Sequence, residues 1–186
     1  MKTFLLGLWE VAEVVLVAAA TVFIVRTFLA QPFLVSGASM EPTFSSGNYL
    51  LIDEFTYRLR EPQRGEVVVF RYPGNPSVYY IKRIIGLPTE RVVVQKGEVR
   101  IFRKGDDEGL VVKEPYLPQG LKTGGDVTVV LGNNEYFVLG DNRNFSYDSR
   151  SWGVLPQKNI LGVVRLRLLP FAQAAVFGEQ AISFNN

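Results

Sequence analysis

Residues 66–86, EVVVFRYPGNPSVYYIKRIIG, carry the pattern on which the fold turns. Residues 66–70 and 79–81 are short β-branched and aromatic runs broken by Gly, Pro and Asn, which is strand texture. Working outward, the same texture returns at 49–52, 92–94, 98–102, 127–131, 136–139 and 163–166. Residues 95–97 and 104–107, QKG and KGDD, supply turn chemistry between them. No helical period longer than two turns appears beyond residue 35. Strands at this spacing predict a mainly β fold, an antiparallel body of the sandwich or barrel kind.

The N-terminal end is different. Residues 4–29, FLLGLWEVAEVVLVAAATVFIVRTFL, are the most apolar stretch of the chain. As a helix they would be about 39 Å long, against a hydrocarbon core of about 30 Å. Glu10, Glu13 and Arg26 interrupt the run, with Glu10 and Arg26 placed to snorkel and Trp9 to anchor at an interface. A buried core helix and a cleaved signal peptide, the latter hinted at by Ala18-Ala19-Ala20, are competing readings. The expected one is a single transmembrane helix. The organisation expected is then an anchor over 1–30, a catalytic β-core over 31–91 that resumes over 136–171, a β-ribbon subdomain over 92–135, and a tail over 172–186.

Composition narrows the chemistry. The 186 residues include 20 Lys and Arg against 18 acids, a formal charge of +2 without a basic block, so no nucleic-acid footprint is expected. There is no histidine, which excludes Ser-His-Asp and Cys-His mechanisms, and no cysteine, which excludes thiolates and zinc clusters. No metal site and no cofactor is expected. Proton transfer must run through lysine, carboxylate or tyrosine.

Three segments could carry that chemistry. Residues 36–43, SGASMEPT, put Ser39 in a sterically open turn, though such turns are common. Residues 81–88, IKRIIGLP, place Lys82 inside an apolar run, either as an edge-strand gatekeeper or as a desolvated amine. Residues 140–153, GDNRNFSYDSRSWG, crowd Asp, Arg, Ser and Asn into one loop, either solvated or cross-linked by hydrogen bonds.

In this order, after one N-terminal hydrophobic helix, the three segments resemble the bacterial type I signal peptidases, and the resemblance runs to Leu169-Pro170-Phe171. It implies a membrane-tethered serine endopeptidase that cuts signal peptides from exported preproteins. Its substrates would be those preproteins. The tether would hold it in the lipid bilayer of the cytoplasmic membrane, single-pass, with the catalytic domain outside and the export machinery nearby. By the same resemblance Ser39 is the nucleophile, Lys82 the general base and Ser146 the hydroxyl that orients the lysine amine. Asp148 and Arg150 are an ion pair supporting Ser146, with Asp141 and Arg143 as further scaffold. Met40 helps shape the substrate pocket, and Phe33, Val35, Phe44, Tyr80 and Ile81 line shallow apolar subsites that admit an Ala-x-Ala-like end. One position departs. Some family members carry an oxyanion-binding serine two residues before the nucleophile, where this chain has Gly37.

A serine-lysine pair makes physical sense only if the lysine is neutral. At an unperturbed pKa near 10.4 about one lysine in 2,500 is neutral at pH 7, and burial is what lowers that pKa. Arg83, next along the strand, should face the opposite way. Trp152 belongs either to the core or to a contact with the bilayer. The alternatives are an organellar inner-membrane peptidase of the same clan and a non-catalytic, membrane-anchored β-domain that binds extracytoplasmic ligands. The second gives no reason for the three segments to occur together.

Overall fold

A computed structural model of the protein describes residues 2–28, 30–106, 108–178 and 182–185. Helix α1, Lys2–Phe28, comes first, and the regular elements after it are mostly strands. β1 (Ala30–Leu34) pairs with β2 (Tyr49–Asp53), and after the four-residue helix α2 (Thr56–Leu59), β3 (Val67–Tyr72) pairs with β4 (Asn75–Gly86). Next come β5 (Arg91–Gln95), β6 (Glu98–Phe102), β7 (Leu110–Lys113), β8 (Val127–Val130) and β9 (Glu135–Leu139). A short α3 (Ser149–Trp152) leads to β10 (Leu155–Pro156) and β11 (Ile160–Leu169), then β12 (Ala175–Val176) and β13 (Ser183–Asn185).

Two antiparallel sheets result. The larger runs β1-β2-β11-β3-β4-β9-β10, with β12 added to β11; the smaller runs β13-β7-β6-β5-β8. β11 is the long late strand inserted between β2 and β3. The tail is thus shared out, Ala175–Val176 pairing in the larger sheet and Ser183–Asn185 in the smaller.

The unbroken Val67-Val68-Val69-Phe70 run has a structural reason. Both faces of β3 are buried, so both sets of alternating side chains must be apolar. Val67 and Val69 join a core with Val35, Met40, Phe44, Leu50, Ile52 and Val164, while Val68 and Phe70 join another with Ile84, Tyr136, Val138 and Leu155. Trp152 belongs to this second group, its ring 5.9 Å from those of both Phe70 and Tyr72, rather than standing free for a bilayer. A third core, around Ile85, Val92, Val94, Ile101 and Phe137, joins the smaller sheet to the larger.

Register passes these faces on to β4. Lys82 lies opposite Val68 and Tyr80 opposite Phe70, while Ile81 and Arg83 share the face of Val69 and Val67. Among the described residues β4 pairs with β9 only from Arg83 onward, leaving that edge unpaired over residues 75–81. The curled sheet brings β1 to that edge, with the Phe33 and Tyr79 rings edge-on at 5.8 Å. A cleft lined by residues of both strands lies between them.

α1 carries exposed apolar side chains, among them Trp9, Val14, Leu16 and Val17. Among the described residues no helix is long and apolar enough to cross a membrane. The continuous stretch with described side chains, residues 9–21, rises only about 20 Å, against about 30 Å of hydrocarbon. The side chain of Arg26, expected to snorkel, lies outside the described residues.

Candidate active site

Ser39 sits in the tight turn that follows β1. The Phe44 amide donates to the Met40 carbonyl at 2.9 Å and the Glu41 amide to that of Ala38 at 3.2 Å, which folds residues 38–44 back on themselves. Gly37 enables the approach: its φ of +98° is a conformation that a side chain strains against. A serine here would carry that strain, and the Gly37 amide points to Ser46 Oγ at 3.4 Å.

Lys82 comes from mid-β4 and is 3% exposed. Its Nζ lies 2.7 Å from Ser39 Oγ and donates to the Ile81 carbonyl at 2.8 Å, with the Tyr80 ring centre 5.4 Å away. Among the described residues no carboxylate forms an ion pair with it. Burial pulls its pKa down to about 8, against the opposing pull of the more distant Asp148 and Asp141 charges.

The 140–153 loop is clamped onto the main chain of Ala38 and Ser39. The Asn142 amide donates to the Ser39 carbonyl and its side chain to that of Ala38, both at 3.1 Å. Gly140 is packed so closely that a Cβ there would lie 2.4 Å from the Ser39 carbonyl oxygen and 2.2 Å from Ser146 Oγ. Ser146 therefore adjoins the site, but among the described residues its buried hydroxyl has no hydrogen-bond partner, and the expected bond to Lys82 is not formed. Asp148 and Arg150 do pair, at 2.8 Å; Asp148 also accepts from the Gly140 amide at 3.0 Å and from the Arg150 amide, capping α3.

Asp141 and Arg143 find their charged partners outside the loop. Asp141 takes both sides of the Arg83 guanidinium, at 2.8 and 2.6 Å, and accepts from Thr43 Oγ1 at 2.5 Å. It thereby ties together the Ser39 turn, the Lys82 strand and the loop. Arg143 is held by Glu114. Arg83, Thr43 and Glu114 carried no local signal as partners, because each pairing spans a long stretch of chain. By register Arg83 shares the face of Val67 and Lys82 that of Val68, so the two point oppositely as strand alternation requires.

The cleft encloses about 380 Å³ beside the dyad. Phe33, Val35, Tyr80 and Ile81 line it, as expected. Met40 and Phe44 do not: both are fully buried behind it, because the 38–44 turn tucks them into the core with Leu50 and Val69. The lining also includes Leu34, Leu50, Val69, Tyr79, Phe145 and Tyr147.

A family profile described as "Signal peptidase, peptidase S26" matches residues 8–169. A probable signal peptidase I-2 from Synechocystis sp. is 36% identical over 177 residues, covering 92% of this chain and 78% of that protein. The signal peptidase I of Pseudomonas aeruginosa is 34% identical over 76% of this chain, which spans 65% of that protein's length. The signal peptidase I of Bacillus amyloliquefaciens is 33% identical, covering 88% of this chain and 86% of its own length. The three chemistry-bearing segments all fall within the matched region, and the chain belongs to the signal peptidase family, peptidase S26.

Proposed function

We propose that the protein is a membrane-tethered serine endopeptidase that removes N-terminal signal peptides from exported preproteins, with Ser39 as nucleophile and neutral Lys82 as general base. The observation that carries this reading is the 2.7 Å approach of a buried amine to a serine hydroxyl in a chain without histidine. With its pKa near 8, about one Lys82 in ten is neutral at pH 7. That amine takes the Ser39 proton as Oγ attacks the scissile carbonyl, returns it to the leaving amine, and then activates the water that releases the acyl-enzyme. Ser146 turns its free hydroxyl to the amine once Ser39 has moved to the substrate. The Asp148–Arg150 pair fixes the loop that carries Ser146, and Asp141 and Arg143 brace it from behind.

The substrate enters as the missing strand between β1 and the open edge of β4, its side chains alternating between faces. Those on the Phe33, Val35 and Ile81 side meet a shallow apolar floor of Leu50 and Val69 and must be small. Exposed apolar residues along α1 favour its role as a single-pass anchor in the cytoplasmic membrane, with the catalytic body on the extracytoplasmic side close to the export machinery. The smaller sheet forms a subdomain apart from the cleft.

The test is cleavage of a preprotein by the detergent-solubilised protein. Wild type cuts after a small residue, while folded Ser39→Ala and Lys82→Ala do not; turnover by Lys82→Ala would remove the proposed base. Since the base works only when neutral, kcat/KM should climb as pH rises through about 8 and then level off.

A further inference from the structure

Glu114 lies on the linker, residues 114–126, that returns the chain from β7 to β8 in the smaller sheet, away from the cleft. Its carboxylate is nearly buried and receives both Nη groups of Arg143, Nη1 at 2.6 Å from Oε2. Arg143 also donates to Thr123 on the same linker and, through Nε, to the Gly140 carbonyl at 3.1 Å. Gly140 is the residue wedged between the Ser39 main chain and Ser146. Two residues along the linker, Tyr116 donates its hydroxyl to Glu114 and lays its ring 3.8 Å from the Arg83 guanidinium. Arg83 is fully buried and adjoins Lys82. Burial and the Glu114 charge both push the Tyr116 phenol upward, so it remains a donor.

One carboxylate on the smaller sheet's linker therefore reaches both halves of the dyad. Through Arg143 it holds the loop clamped to Ser39, and through Tyr116 it holds the ring that backs the strand position beside Lys82. We infer that Glu114 is a positioning residue for catalysis, fixing the relative placement of the Ser39 turn and Lys82 from the second sheet. This rests on the reading of Ser39 and Lys82 as the reacting pair. The smaller sheet then acts as a strut, and its linker reports on the geometry of the site without touching substrate.

The experiment compares Glu114→Gln, Glu114→Asp and Tyr116→Phe with wild type in preprotein cleavage, each rate normalised to the folded fraction by circular dichroism. Misplacing reacting groups by about an ångström costs up to about 100-fold in rate. Glu114→Gln should lower kcat by roughly 10- to 100-fold with KM nearly unchanged, and should shift the acidic limb of the pH profile. Glu114→Asp should recover most of the loss. Tyr116→Phe keeps the ring on Arg83 and removes only its bond to Glu114, so it folds where Glu114→Gln fails and should show a smaller fall in kcat. Unchanged kcat per folded molecule and an unmoved pH limb, in whichever of these variants fold, would overturn the inference. Ser39→Ala and Lys82→Ala run alongside: turnover in either overturns the reading of the dyad and this inference with it, whereas their inactivity beside a normal Glu114→Gln sinks the inference alone.

Discussion

Lys82 is held against its own preference. The folded protein releases its proton at about pH 8, whereas an unfolded chain keeps it to about 10.4. Between those values the unfolded state binds more protons, so stability rises with pH across that window, and below pH 8 the buried ammonium is a standing penalty. Lys82→Met should therefore be inactive yet more stable at pH 7, on the order of 2–3 kcal/mol. Thermal melts at pH 7 and pH 10 check this: the gain should shrink toward the higher pH, and a constant difference would mean packing, not charge, is responsible. The apolar neighbours Tyr80, Ile81, Ile84 and Ile85 left Lys82 readable either as an edge gatekeeper or as a desolvated amine, and its 3% exposure bears out the dry setting. The partner of Arg83 was not readable. Asp141 arrives from 58 residues away, and nothing in the strand itself marks it.

Among the elements, the unpaired edge of β4 and its neighbour β1 matter most, since on the proposed reading the gap between them decides what can be cut. Leu50 forms part of the floor and is fully buried. Leu50→Ala should cost about 2–5 kcal/mol of stability and deepen the cleft, so that substrates with valine before the cut gain relative to alanine; a panel of peptides differing only there measures it. Gly140→Ala is more severe, because the added methyl meets the Ser39 carbonyl, main chain that cannot swing aside. The variant should lose activity while far-ultraviolet circular dichroism stays close to wild type. The long strands were readable from their β-branched runs. β1, AQPFL, was not: a proline on an edge strand and no clean alternation hide it. β13, SFN, was too short to show any pattern and is identified only by its pairing with β7. The loop at 140–153 could be read as solvated or as a network; Asp148 and Arg150 pair within it, while Asp141 and Arg143 pair outward to Arg83 and Glu114, which only the fold brings near.

At the scale of the molecule, α1 and the β body make separable contributions. A chain lacking residues 2–28 should fold and cleave short peptides within a few-fold of wild type, but lose its advantage on preproteins presented in vesicles; equal loss on both substrates would tie α1 to the body's stability. The order of strands has its own consequence. In the hydrogen-bonded sequence β1-β2-β11-β3-β4, the pair that leads to Ser39 and the pair that bears Lys82 are bridged by β11, residues Ile160–Leu169, made long after both. Contacts this far apart form late. A growing polypeptide still short of residue 160 lacks the strand that joins the two hairpins within the sheet, so the approach of alcohol and amine should be completed only once that keystone has dropped into place.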